Sequence, residues 1–191
     1  MEQSYTADKI FEKSDFTITP LIMGDYESCQ FINCNFSGTD ISGIHFSDCL
    51  FTRCNVANAT LAGTTFSDIQ FRECKMPGLH FETCNHIPFK VSFHYCLLQL
   101  SSFYQMKLKK MNFIHTHLHE TDFTEADLTL AVFEHCDLTG AIFDNTILEK
   151  ADLHTSFNYS IDPERNKLKK AVFSVQGLSS LLDKYDIVIK G

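Results

Sequence analysis

Apolar residues recur at every fifth position through most of the chain. From Phe93 the series reads Phe93, Leu98, Phe103, Leu108, Phe113, Leu118, Phe123, Leu128, Phe133, Leu138, Phe143, Leu148 and Leu153. In an earlier register it reads Phe11, Phe16, Leu21, Tyr26, Phe31, Phe36, Ile41, Phe46, Phe51, Val56, Leu61, Phe66, Phe71, Met76 and Phe81. A helix would show a period near 3.6 and a half-buried strand a period of two. Five fits neither, and a fixed short period marks a solenoid. At 44% hydrophobic composition, so unbroken a run is not chance.

The position two before each apolar residue is small. Ser14, Thr39, Ala59 and Thr64 show it, as do Ser101, Thr116, Thr121, Ala126, Ala131, Ala141 and Ala151. All the cysteines share this position: Cys29, Cys34, Cys49, Cys54, Cys74, Cys84, Cys96 and Cys136. Cysteine is thus interchangeable with Ala, Ser and Thr, as expected of a small buried hydrophobe rather than a metal ligand. Stacking at a spacing of 20 would place Cys34, Cys54 and Cys74 in one column, within disulfide reach. A reducing compartment would keep them as thiols.

The unit of small residue, polar residue, Leu or Phe and two exposed residues resembles the pentapeptide-repeat family. Its cleanest copies are Ala126-Asp127-Leu128-Thr129-Leu130, Cys136-Asp137-Leu138-Thr139-Gly140 and Ala151-Asp152-Leu153. The resemblance implies an all-β fold, a right-handed quadrilateral β-helix with four pentapeptides per coil. Grouping by 20 agrees, giving columns Phe93-Phe113-Phe133, Leu98-Leu118-Leu138, Phe103-Phe123-Phe143 and Leu108-Leu128-Leu148. The expected organisation is a lead-in over 1–10, a β-helix over 11–157 and a C-terminal module over 158–191.

Between Phe81 and Phe93 the spacing exceeds the repeat by two, so the register slips within 82–92. Either a neutral insertion at a coil corner or a hinge between two halves would account for it. Beyond Asn158 the repeat fades, although Leu168 and Phe173 keep the register and could close the last coil. Ser174 is a candidate N-cap. The helix it would start has Val175, Leu178, Leu181, Leu182 and Tyr185 on one face. A short strand, Ile187-Val188-Ile189, would follow. In the family that is resembled, this module joins two protomers, which assigns Val175, Leu178, Leu181, Leu182, Tyr185, Ile187 and Ile189 to a homodimer contact. An intramolecular cap is the alternative.

Charge narrows the function. The net charge of -8 argues against direct nucleic-acid binding. The segment Glu120, Asp122, Glu125, Asp127, Glu134, Asp137, Asp144, Glu149 and Asp152 is opposed only by Lys150. It spans under two coils, about 8–10 Å at strand spacing. Its linear charge density therefore approaches that of duplex DNA, about one charge per 1.7 Å. Either Asp serves the turns of the coil corners, or Asp122, Glu125, Asp127, Glu134, Asp137, Asp144 and Glu149 form a partner-binding surface. Asp48 and Asp68 should stack as like charges, and Arg53 should pair with Glu73.

His115, His117 and His119 alternate, and His115 should stack on His135. Alternate residues are expected to leave a corner in different directions, so no metal site is expected. A core filled by Phe, Leu and small residues leaves no pocket, and no phosphate loop or catalytic constellation is present, so no enzyme and no cofactor are expected. The N-terminus lacks a signal-peptide pattern. No apolar run would cross a membrane, so the cytosol is the expected compartment.

Within the family, the stretch Phe31-Ile32-Asn33-Cys34-Asn35-Phe36-Ser37-Gly38, the slip before Phe93 and the ending Gly177-Leu178 through Ile189 resemble the quinolone-resistance (Qnr-type) and microcin-immunity branch. That resemblance implies a non-enzymatic, dimeric DNA mimic that binds DNA gyrase or topoisomerase IV. The projecting loops many members carry have no counterpart in the uninterrupted register. A structural or regulatory scaffold for an unrelated protein partner is the alternative.

Overall fold

The five-residue period closes into a four-sided coil. A computed structural model describes residues 4–188. Its strands are β1 (Ser4–Ala7), β2 (Ile10–Glu12), β3 (Gly24–Glu27), β4 (Gln30–Ile32), β5 (His45–Ser47), β6 (Leu50–Thr52), β7 (Thr65–Arg72), β8 (Phe89–His94), β9 (Asn112–Ile114) and β10 (Val132–Glu134). All pairings are parallel, and outside the slip they link residues 20 apart, as in Phe31 with Phe51 and Phe113 with Phe133; between β7 and β8 the separation is 22 or 23. Isolated bridges continue the spacing of 20 to Asp152 with Val172, apart from Lys75 with Leu97 and His80 with Ser102, which span the slip at 22. Pairing begins at Ser4, inside the expected lead-in, where β1 lies on β3. Gly24 permits this approach, because a Cβ there would run into the Ser4 carbonyl.

The inward residue of each unit stacks on its counterpart one coil away. Phe93, Phe113 and Phe133 form one column with ring centroids 5.5 and 5.0 Å apart. Phe103, Phe123 and Phe143 form the opposite column at 5.4 and 5.2 Å. The two columns meet edge-to-face across the interior, as in Phe103 against Phe113 at 5.9 Å. Stacked and T-shaped geometries are both favourable for aromatic rings, so one residue type satisfies both directions of packing. Fully burying each ring contributes roughly 1.5–3 kcal/mol.

The corners explain the two outward positions. The residue two after the inward one has positive φ in nearly every unit, for example Asn33, Asp48, Asn58, Leu100, Leu130 and Lys150. Its amide donates to the next coil, as Leu100 N does to the His119 carbonyl at 2.9 Å. A β-branched side chain would be most strained there, and none occupies a positive-φ position among the described residues.

The small position turns out to carry a hydrogen bond. All the cysteines are free and buried. Cys34, Cys54, Cys74, Cys96 and Cys136 each donate Sγ–H to a Phe carbonyl one coil earlier. Thr116 and Ser156 continue the column with hydroxyls. Small size is not absolute, since Ile44, Ile69, Leu79, Met106 and Met111 fill the same position and are buried. Burial pushes the thiols of Cys49, Cys84 and Cys136 up to about 12 from an ordinary 9.0. The folded state therefore holds these protons more tightly than the unfolded chain. Their contribution is complete below about pH 9 and is lost as pH rises towards 12. The urea midpoint should fall between pH 8 and pH 10.5, and a flat profile would contradict the burial of these thiols.

The slip is a corner insertion. Phe81 opens a 3-10 turn (Phe81–Thr83) yet remains fully buried. The aromatic columns run straight across it, with Phe71 on Phe93 at 5.7 Å and Phe81 on Phe103 at 4.6 Å. The register shift sits between Phe66 and Ile69 against β8. It delivers Lys90 into an ion pair with Asp68, which offsets the stacked charges of Asp48 and Asp68. Arg53 does not pair with Glu73; its Nε donates instead to Asn33 Oδ1 at 3.0 Å, one coil earlier.

The C-terminal module differs from expectation. Leu168 and Phe173 do pack on the core. The expected helix is two 3-10 turns, Leu178–Leu181 and Asp183–Tyr185. Ser174 Oγ does accept from Gly177 N at 3.0 Å. Ile187 and Val188 are not in a strand, and Ile189 lies outside the described residues. The physical reason is a shortage of partners: among the described members of the dimerisation set, Leu181 alone reaches the core.

Candidate partner-binding surface

The outward positions sort onto four faces, named here by their inward residues Phe113, Leu118, Phe123 and Leu128. The expected acidic set does not converge on one of them. Asp122, Glu125 and Asp144 share the Phe123 face, where Asp122 pairs with Ser102 and Ile142 in register. Asp127 and Glu149 lie on the Leu128 face, Glu134 on the Phe113 face and Asp137 on the Leu118 face.

Many of these carboxylates brace the coil. Asp122 Oδ1 accepts from Thr124 N at 2.8 Å. Asp127 Oδ1 accepts from the Thr129 amide and hydroxyl at 3.1 and 2.6 Å, and its Oδ2 is 3.2 Å from Lys109 Nζ. Burial raises the Asp127 carboxyl, but Thr129 and Lys109 together hold it below its ordinary value. Asp15, Asp40, Asp152 and Asp162 make the same turn contact. Aspartate is therefore selected at the position before the inward residue because its side chain hydrogen-bonds the backbone two residues on. Asp144 meets Arg165 Nη2 at 2.6 Å, and Glu125 accepts from Gln105 at 2.8 Å.

Separation onto faces also reveals a basic stripe. Lys107, Lys109, Lys110, Lys150, Lys167, Lys169 and Lys170 are all exposed on the Leu128 face. The C-terminal half thus presents an acidic Phe123 face beside a basic Leu128 face. Reading charge in sequence blocks hid this. Reading it at a spacing of 20, as in Lys110, Lys150 and Lys170, would have found it.

The histidines are brought together, contrary to expectation. His117 and His119 flank the inward Leu118, and a separation of two along extended backbone puts both outward on one face. Their rings are 5.5 Å apart and edge-to-face. Asp137 lies in register with His117 on the next coil. His115 stacks on His135 at 4.8 Å and on Tyr95 at 4.7 Å.

The predicted dimer residues sit at the C-terminal end. Val175, Leu178, Leu182, Tyr185 and Ile187 are exposed, Val175 most at 80%. Inside the coil the packing is tight: the gap between Phe36, Ile41, Phe51 and Phe66 is about 10 Å³ and is lined by apolar side chains, which offer a water no partners.

Residues 25–98 match the pentapeptide repeat region family, and residues 96–134 and 116–154 match pentapeptide repeats in eight copies. The chain belongs to the pentapeptide-repeat family. Among solved structures, this pentapeptide-repeat protein is similar to a trypsin-treated variant of QnrB1, a plasmid-mediated fluoroquinolone resistance protein. The TM-score is 0.52 at 20% identity, over 98% of this chain and 100% of that one. HetL, a pentapeptide repeat protein involved in heterocyst differentiation regulation from the cyanobacterium Nostoc, matches with a TM-score of 0.40 at 11% identity over 88% of this chain and 85% of that one. No curated protein matches the sequence. No helix among the described residues is long and apolar enough to cross a membrane.

Proposed function

We propose that this pentapeptide-repeat protein is a non-enzymatic, DNA-mimicking binder of a type II topoisomerase, DNA gyrase or topoisomerase IV, acting in the cytosol. The observation that carries this reading is a rigid acidic face at regular spacing on a coil with a filled interior. Asp122, Glu125 and Asp144 would occupy the basic DNA-binding surface of the enzyme and compete with DNA, with binding that weakens in salt. The QnrB1 likeness supplies the fold of a fluoroquinolone resistance protein, which favours this partner class. Dimerisation through Val175, Leu178, Leu182, Tyr185 and Ile187 would double the length of the acidic surface.

The test is supercoiling by purified gyrase with the protein titrated in, with and without a fluoroquinolone. Inhibition, or relief of drug inhibition, is expected. It should be lost when Asp122→Asn, Glu125→Gln and Asp144→Asn are combined, since amides keep the turn contacts and drop the charge. Leu182→Asp should sediment as a monomer and act more weakly. No effect at micromolar concentrations would favour a second reading, a structural or regulatory scaffold for another protein. That reading draws on the many aspartates that brace turns.

A further inference from the structure

We propose that His117, His119 and Asp137 form a binding site for a late first-row divalent cation, Zn2+ in particular, that ties one coil to the next. One ligand atom from each of the three lies within 4.8 Å of the others. Two imidazoles and a carboxylate are donors of the type that zinc takes. Bonds of about 2.0–2.1 Å place tetrahedral ligands roughly 3.3 Å apart. The existing cluster therefore closes with small rotations of exposed or half-exposed rings.

Two details favour a cation over a simple ion pair. His119 Nε2 sits 2.7 Å from Asp137 Oδ2, and that enclosed nitrogen has no other partner. A metal between the two atoms would satisfy both. Asp137 is also held in place independently. Its Oδ1 accepts from the Thr139 amide at 3.2 Å, the Thr139 hydroxyl at 2.7 Å and Asn158 Nδ2 at 3.0 Å. These contacts leave Oδ2 directed at the histidines, which is how outer contacts orient a metal-binding carboxylate. His117 and His119 belong to one coil and Asp137 to the next, so the ion would be a staple between coils. Three protein ligands leave one tetrahedral position open.

The neighbouring triad of His115, Glu134 and His135 offers a built-in control. Titration of the full chain with Zn2+ by calorimetry, and with Co2+ as a coloured substitute, should show one saturable site. The thermal midpoint should rise with Zn2+, because an ion bound only by the folded state stabilises it. His117→Ala, His119→Ala and Asp137→Asn should each weaken binding at least tenfold. Asp137→Asn preserves the turn contact, so it separates loss of a ligand from loss of fold. His119→Gln serves the same purpose if the alanine variant is unstable. His135→Ala should bind as the parent does. The proposal is overturned if no saturable binding occurs at micromolar Zn2+, if the three variants bind normally, or if His135→Ala alone abolishes the site.

Discussion

Phe113→Ala should lower stability by about 4 kcal/mol, within the range for emptying a buried phenylalanine site. Phe113 is fully buried. It stacks on Phe93 and Phe133 at 5.5 and 5.0 Å and meets Phe103 and Phe123 edge-to-face at 5.9 Å each. Alanine therefore removes four ring contacts as well as the transfer of a benzyl group from water. Collapse is restricted, because the backbone ladders fix the coil spacing on either side. For a chain of this size the loss corresponds to a fall in Tm of about 10 °C. Phe157→Ala is the comparison: that ring is 48% exposed, so its removal should cost under about 1 kcal/mol. Urea unfolding of both variants measures the difference. Equal effects would mean that the column is not the main source of stability.

The second large effect should appear at Cys74, where a series separates volume from hydrogen bonding. The side chain is fully buried, and its Sγ–H donates to the Phe51 carbonyl at 3.4 Å. Cys74→Ser keeps a donor of similar size and should cost less than about 1 kcal/mol, whereas Cys74→Ala loses the bond and should cost about 1–2 kcal/mol. Cys74→Asp buries a charge in the apolar core and should cost more than about 4 kcal/mol, enough to unfold much of the population. The order of the first two variants is the informative part. If the position selected only for small volume, the hydroxyl would be the worse replacement, because burying it would carry a desolvation cost without return. Thr116 and Ser156 in the same column, both donating to carbonyls one coil earlier, argue for the donor. Denaturant midpoints in which Ala exceeds Ser would reverse the assignment.

Sequence alone determined the coil. The five-residue apolar period marks a solenoid, the small slot that holds the cysteines and the slip near Pro88 follow from spacing, and the resemblance to pentapeptide repeats implies the four units per coil that stack Phe93 on Phe113. Those features are local and repeat, and each copy reinforces the same register. Tertiary structure decided what depends on neighbours 20 residues apart or on competition for partners. It separated Asp122, Glu125 and Asp144 from the lysines around Lys110 and Lys150, because adjacency on a solenoid runs across coils rather than along the chain. It also joined His117, His119 and Asp137, which lie on two coils. The C-terminal segment was decided by packing too: the apolar pattern after Ser174 suits a helix, but among its described residues only Leu181 finds core to cover. With so little apolar surface to bury, the segment takes short 3-10 turns, because helix propensity alone is too weak to hold a longer element.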